Sequence, residues 1–181
     1  SIALQIDLGN YEVLTPWNTA DYPFHFSKMC NRHTTLVEEA DTPCVTGLFI
    51  DIFPLDGTVS DREEAIQMKR RFRKVANRLE AISTHNTFAD YIRLLLRRSE
   101  WGRFAVKTAG FFFRKPLRWW LLRRMERICR TYDYETAENV VVYCGVYDDR
   151  EIYPKAWATS QVFFPFEGLQ VPLSNGYDKY L

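Results

Sequence analysis

The chain has 181 residues, of which 46% are hydrophobic and 15% aromatic, and its formal net charge is +1. That apolar share excludes a disordered polyelectrolyte, and the length suffices to bury a substantial core. No apolar run reaches the roughly 18–20 residues of a membrane-spanning helix; the best stretch, residues 104–113, is cut by Lys107 and closed by Arg114.

Elements are expected in the following order. Residues 11–14 and 24–30 read as strands, Asn31-Arg32-His33 as a turn, and residues 34–38 as the return strand of a hairpin. Residues 41–47 form a loop holding Pro43. Leu48 to Phe53 then form a short run rich in aromatic and β-branched residues, closed by Pro54 and Gly57, which predicts a buried strand. Alternation puts Leu48, Ile50 and Ile52 on one face and Phe49, Asp51 and Phe53 on the other. A carboxylate in such a strand needs a cation, a donor or a proton. Asp51 is therefore either a metal ligand or catalytic group, or an acceptor for loop amides.

Ser60 with Glu63 makes a capping-box pattern that opens a helix to about Ser83. Its apolar stripe is Ala65, Met68, Phe72, Val75, Leu79 and Ile82; Lys69, Arg70, Arg71, Arg73, Lys74 and Arg78 fall on the other face. A second helix is expected over residues 87–98. A third segment, 103–131, should be broken or kinked at Gly110 and Pro116. Residues 139–144 read as a strand, 145–154 as a loop, and 162–164 and 169–171 as short strands flanked by Pro165 and Pro172.

Charge is unevenly distributed. Residues 61–131 hold 19 Lys/Arg against 7 Asp/Glu, and the remainder holds 5 against 16. A basic middle inside an acidic frame suggests a polyanionic partner, or helices against which the acidic frame packs. Trp119 and Trp120 lie among Arg118, Arg123, Arg124 and Arg127, a pattern that suits an anionic membrane surface. No nucleic-acid motif supports the other polyanion. Cys30, Cys44, Cys129 and Cys144 form no C-x-x-C pair and read as reduced thiols rather than zinc ligands. His25, His33 and His85 have no ligand spacing.

Several segments together resemble the LicD family, which includes the fukutin-like proteins. They are Tyr22-Pro23-Phe24-His25-Phe26-Ser27-Lys28, Thr34-Thr35-Leu36-Val37-Glu38, Phe49-Ile50-Asp51-Ile52-Phe53-Pro54-Leu55-Asp56-Gly57, Asp149-Arg150-Glu151-Ile152-Tyr153-Pro154, Phe166-Glu167-Gly168 and Tyr177-Asp178-Lys179-Tyr180-Leu181. The resemblance covers roughly residues 11–57 and 139–181. It implies an α+β, nucleotidyltransferase-like mixed sheet. The expected layout is one domain fragment, 1–181, with a β-rich frame (1–60 and 136–181) and a basic helical insertion (61–135).

The function implied is transfer of a phospho-substituent, such as phosphocholine from a cytidine-diphosphate carrier, to a sugar hydroxyl of a cell-surface or lipid-linked glycan. Mg²⁺ or another divalent cation is the implied cofactor, and a cytoplasmic location, peripheral to the inner face of the membrane, is expected. Asp51 matches the position of the family's third carboxylate and would bind the metal or act as base. Lys28 would meet a phosphate as a point charge, or snorkel from an edge strand. Asp56 and Glu167 would shape the substrate site or make turn contacts. Arg150 would clamp a phosphate or pair with Asp148 or Asp149. The family's first acidic metal run has no counterpart, since Asp7 and Asp21 are isolated; the piece alone is expected to be inactive. The alternative is a non-catalytic module that docks an anionic membrane or polyanion through its basic helices.

Overall fold

A computed structural model describes residues 9–19, 22–36, 46–83, 96 and 101–180. The chain is α+β. Among the described residues it forms three small antiparallel sheets and three α-helices. Two compact units are present, Ser1–Ile52 with Lys74–Met125, and Phe53–Arg73 with Glu126–Leu181. The division passes through both long helices.

The first unit holds a sheet of order β1-β2-β3: β1 (Tyr11–Leu14), β2 (Ser27–Asn31) and β3 (Phe49–Ile52). Its core is Leu14, Tyr22 and Cys30, with Phe24 and Phe49 packed on them. The expected hairpin between residues 24–30 and 34–38 is not the pairing found. β2 instead sits between β1 and β3, and Leu36 makes only an isolated bridge to Thr46. Val37, Glu38 and the 41–45 part of the following loop lie outside the described residues, as do Asp7, Asp21, Cys44, His85 and Leu181.

The run at β3 is a strand, but it is not buried as expected. Leu48 is 60% exposed and Ile50 64%. Alternation separated the two faces correctly, yet only the Phe49/Asp51 face meets the core. The all-apolar face is left open, and β3 is an edge of this sheet among the described residues.

Helix α1 (Arg62–Ser83) follows β4 (Asp56–Thr58). Ala65, Met68, Phe72, Val75 and Leu79 are all buried, so the periodic stripe is the packed face. The cap is one residue later than expected: Asp61 Oδ1 accepts from the Glu64 amide at 2.8 Å. Ser60 instead donates to Glu138 Oε2 at 2.9 Å. Asp61 wins because its carboxylate also suits the positive helix N-terminus.

Helix α2 (Trp101–Cys129) runs unbroken through Gly110 and Pro116. Pro116 is exposed, so its missing amide removes one hydrogen bond on the wet side, while Arg118, Leu121, Leu122 and Met125 stay buried on the opposite stripe. The helix expected over residues 87–98 lies, Leu96 apart, outside the described residues. No described helix is long and apolar enough to cross a membrane.

The second unit holds a sheet of order β4-β5-β6, with β5 (Asn139–Val141) and β6 (Ile152–Pro154). The end of the stretch read as a loop is thus a strand; Val140 pairs with Tyr153. A short 3-10 turn (Lys155–Trp157), the hairpin β7 (Gln161–Phe166) and β8 (Leu169–Ser174), and helix α3 (Tyr177–Tyr180) complete the chain. Pro165 and Pro172 lie inside the hairpin strands rather than flanking them. A two-stranded ribbon tolerates this because each strand keeps an open edge to which a missing amide can be turned.

Replacing Asp61 by Ala removes the observed cap and should lower unfolding stability by about 1 kcal/mol. Ser60→Ala should cost less than half of that, which urea denaturation of both variants will measure.

Candidate functional site

Antiparallel register sets Lys28 directly opposite Asp51, and Leu14 opposite Lys28 on the other side. Both charged side chains therefore share the face that carries Cys30 and Phe49. Lys28 Nζ lies 3.6 Å from Asp51 Oδ1. The lysine side chain is 3% exposed and the aspartate 33%. Lys28 thus neither snorkels nor sits on an edge strand. Its ammonium is inside a box of rings: 3.1 Å from the Phe49 centroid, 4.2 Å from Phe24 and 5.8 Å from Phe26. Ring faces carry negative potential and attract a desolvated cation, and the carboxylate supplies the counter-charge. Phe24 is itself set by an edge contact with Tyr22, centroids 5.5 Å apart.

The other residues singled out in the sequence belong to the second unit and do not converge on a single point. Arg150 is exposed and lies over Tyr147 at 6.0 Å. It forms no ion pair among the described residues, because its expected partners are taken: Asp148 pairs with Arg73 and Arg70, and Asp149 with Arg62. Glu167 has φ 47° and Gly168 φ 81°, between the paired Phe166 and Leu169. These are the two left-handed positions of a tight hairpin turn, which settles Glu167 in the turn. Asp56 is in strand β4, opposite Val141, rather than in an exposed turn. Its Oδ2 is buried and unbonded, and burial pushes its acidity toward the neutral form against a hydrogen bond with Cys129. Burial also pushes the Cys129 thiol up, and the Cys144 thiol and Tyr143 hydroxyl each to about 12. These thiols stay protonated and are poor nucleophiles.

A second buried ion pair was not anticipated. Lys69 on α1 contacts Glu151 and the Tyr147 carbonyl, with the lysine side chain 0% exposed and the glutamate 9%. Burial pulls the lysine's pKa down and Glu151 opposes that shift. Arg73 reinforces the clasp: its Nη1 is 2.7 Å from Asp148 Oδ1, an ion pair without hydrogen-bond alignment, and its Nη2 is 3.0 Å from the Val146 carbonyl. Gly145 leaves room here, since a Cβ would meet the Glu151 carboxylate. The signal was present in the sequence. Lys69 is four residues after Ala65 and three before Phe72, so it lies on the apolar stripe and not opposite it.

Among the described residues no set of three His, Cys, Asp or Glu side chains could hold a metal ion. At the Lys28–Asp51 pair the described donors are one carboxylate, and an ammonium already supplies the positive charge beside it. Those residues do not by themselves fit a divalent-cation centre. No protein-family model, curated protein or solved structure matches the chain.

Lys69→Met should cost about 3–5 kcal/mol, because it leaves Glu151 buried without a counter-charge. Adding Glu151→Leu should recover most of that loss in thermal melts.

For Asp56 the folded pKa lies above 3.8, so the folded state holds this proton more tightly than the unfolded chain does. The stabilisation is full below that value and is lost as pH rises through the folded pKa. Asp56→Asn should therefore be more stable than the parent at neutral pH. The gain should shrink toward pH 4 in pH-dependent melting.

Proposed function

We propose that the chain carries part of a phospho-group transferase of the LicD type. It would move a phospho-substituent, such as phosphocholine, from a cytidine-diphosphate carrier to a sugar hydroxyl of a cell-surface or lipid-linked glycan. The ordered sequence segments support this reading, as does the α+β class, which a nucleotidyltransferase-like fold shares. The observation that carries it is the placement of Lys28 across from Asp51, with the carboxylate one-third exposed and the ammonium sealed behind it.

In this reading Asp51 is the catalytic residue and Lys28 a positioning residue. The acceptor hydroxyl gives its proton to the Asp51 carboxylate as its oxygen bonds to phosphorus. The phosphorus–oxygen bond to the nucleotide breaks, and the nucleotide leaves with that electron pair. Lys28 holds the carboxylate oriented from the buried side. Boxed by three rings, it acts through Asp51 rather than on the phosphate. Arg150, Glu167 and Asp56 have no part in this step.

Transfer of phosphocholine from its cytidine-diphosphate carrier to a glycan acceptor tests the reading in the protein that carries this chain. Asp51→Asn should lower the rate about 10²–10⁴-fold. Because it also leaves the Lys28 ammonium buried without its counter-charge, Asp51→Asn with Lys28→Met, which removes both charges, is measured beside it and should regain stability but not rate. An unaltered rate in Asp51→Asn, or a normal rate in the refolded double variant, would defeat the assignment.

A further inference from the structure

We propose that the outer face of α2 docks on an anionic phospholipid surface. Leu121, Leu122 and Met125 are buried, and Arg118 with them. The opposite face carries exposed Arg123, Arg124 and Arg127 beside Trp119 and Trp120, 46% and 50% exposed. Among the described residues none of these three arginines forms an ion pair. The one acid of residues 117–130, Glu126, is paired to Arg130 at 2.7 Å and so does not offset them.

A second observation points the same way. Trp17, from the β1–β2 connection, joins the patch with its ring centroid 5.4 Å from that of Trp119, and it too is 46% exposed. The connection is held there by Arg118, whose guanidinium donates to the Pro16 carbonyl at 3.1 Å and the Tyr22 carbonyl at 3.0 Å. Arg124 lies over Trp120 at 5.3 Å. A preformed cluster of three half-exposed indoles thus lies beside three arginines that have no ion pair among the described residues.

This chemistry matches the interface of a membrane that carries negative headgroups. Indoles settle at headgroup depth, and each nearby arginine adds attraction to anionic lipid. Basic and aromatic residues also bind single-stranded nucleic acid, but there the bases stack inside a groove that tracks the backbone. The outer surface of one helix is convex, and from Trp119 to Arg127 it runs only about 12 Å at 1.5 Å per residue. Such a surface lies against a plane.

The test uses the chain with three partners: vesicles of mixed phosphatidylglycerol and phosphatidylcholine, vesicles of phosphatidylcholine alone, and a single-stranded RNA. Partitioning to the mixed vesicles, with a blue shift of tryptophan emission that added salt weakens, is expected. Arg123→Glu with Arg124→Glu and Arg127→Glu should weaken it roughly a hundredfold or more, with circular dichroism unchanged. If that variant does not fold, the corresponding Gln triple variant and the salt titration of the parent decide the matter. Three results overturn the proposal: no partitioning to the mixed vesicles, equal partitioning to neutral ones, or tighter binding to the RNA.

Discussion

A lysine ammonium withdrawn from water is tolerated only beside a carboxylate, and each unit of this chain contains such an arrangement. In the first unit the pair is Lys28 with Asp51, on neighbouring strands; in the second it is Lys69 with Glu151, joining α1 to the turn before β6. Desolvating either ion alone costs several kcal/mol, so each acid is tied to the presence of its lysine. Much else follows from these requirements. Phe24, Phe26 and Phe49 wall the first ammonium. Gly145, with no side chain, leaves room for the second carboxylate.

The charge imbalance along the sequence has two different physical outcomes. On α1, Arg62, Lys69, Arg70 and Arg73 meet Asp148, Asp149 and Glu151, so part of the basic middle is neutralised by the acidic frame within one unit. Exposed pairs such as Arg62–Asp149 add little stability, and it is the buried member that matters. On α2, Arg123, Arg124 and Arg127 find no such acids among the described residues. The same composition thus yields an internal clasp on one helix and an outward-facing cationic surface on the other.

What the sequence disclosed depended on how local the determining physics was. The α1 stripe and the β3 alternation were readable because each rests on the geometry of one element. The cap of α1 was displaced by one residue because Ser60 and Asp61 compete for the same role, and a partner 78 residues away claims the serine. Pro116 was read as a break because its local cost is plain, whereas the buried stripe that offsets it is a tertiary property. The exposure of Ile50 could not be read at all. A short apolar run looks the same whether one face or two are covered. Of the candidate residues, Lys28 and Asp51 were brought together by the β2–β3 pairing, which alternation within each strand does not specify. Arg150, Glu167 and Asp56 were placed by unrelated local requirements: ring stacking, a left-handed turn and strand burial.

The two buried pairs differ in a way that separates scaffolding from chemistry. Glu151 and Lys69 are both closed off, 9% and 0% exposed, so no outside group can reach either charge. That pair can only hold the loop. Lys28 is as thoroughly sealed as Lys69, but its partner is not: Asp51 keeps a third of its side chain open. Structural economy would close both, since an exposed acid is screened by water and stabilises the lysine less. An acid that is held from behind by a fixed cation and left open in front is oriented and accessible to an outside group. Of the described carboxylates singled out in the sequence, Asp51 is the one that combines a buried cation behind it with an open front.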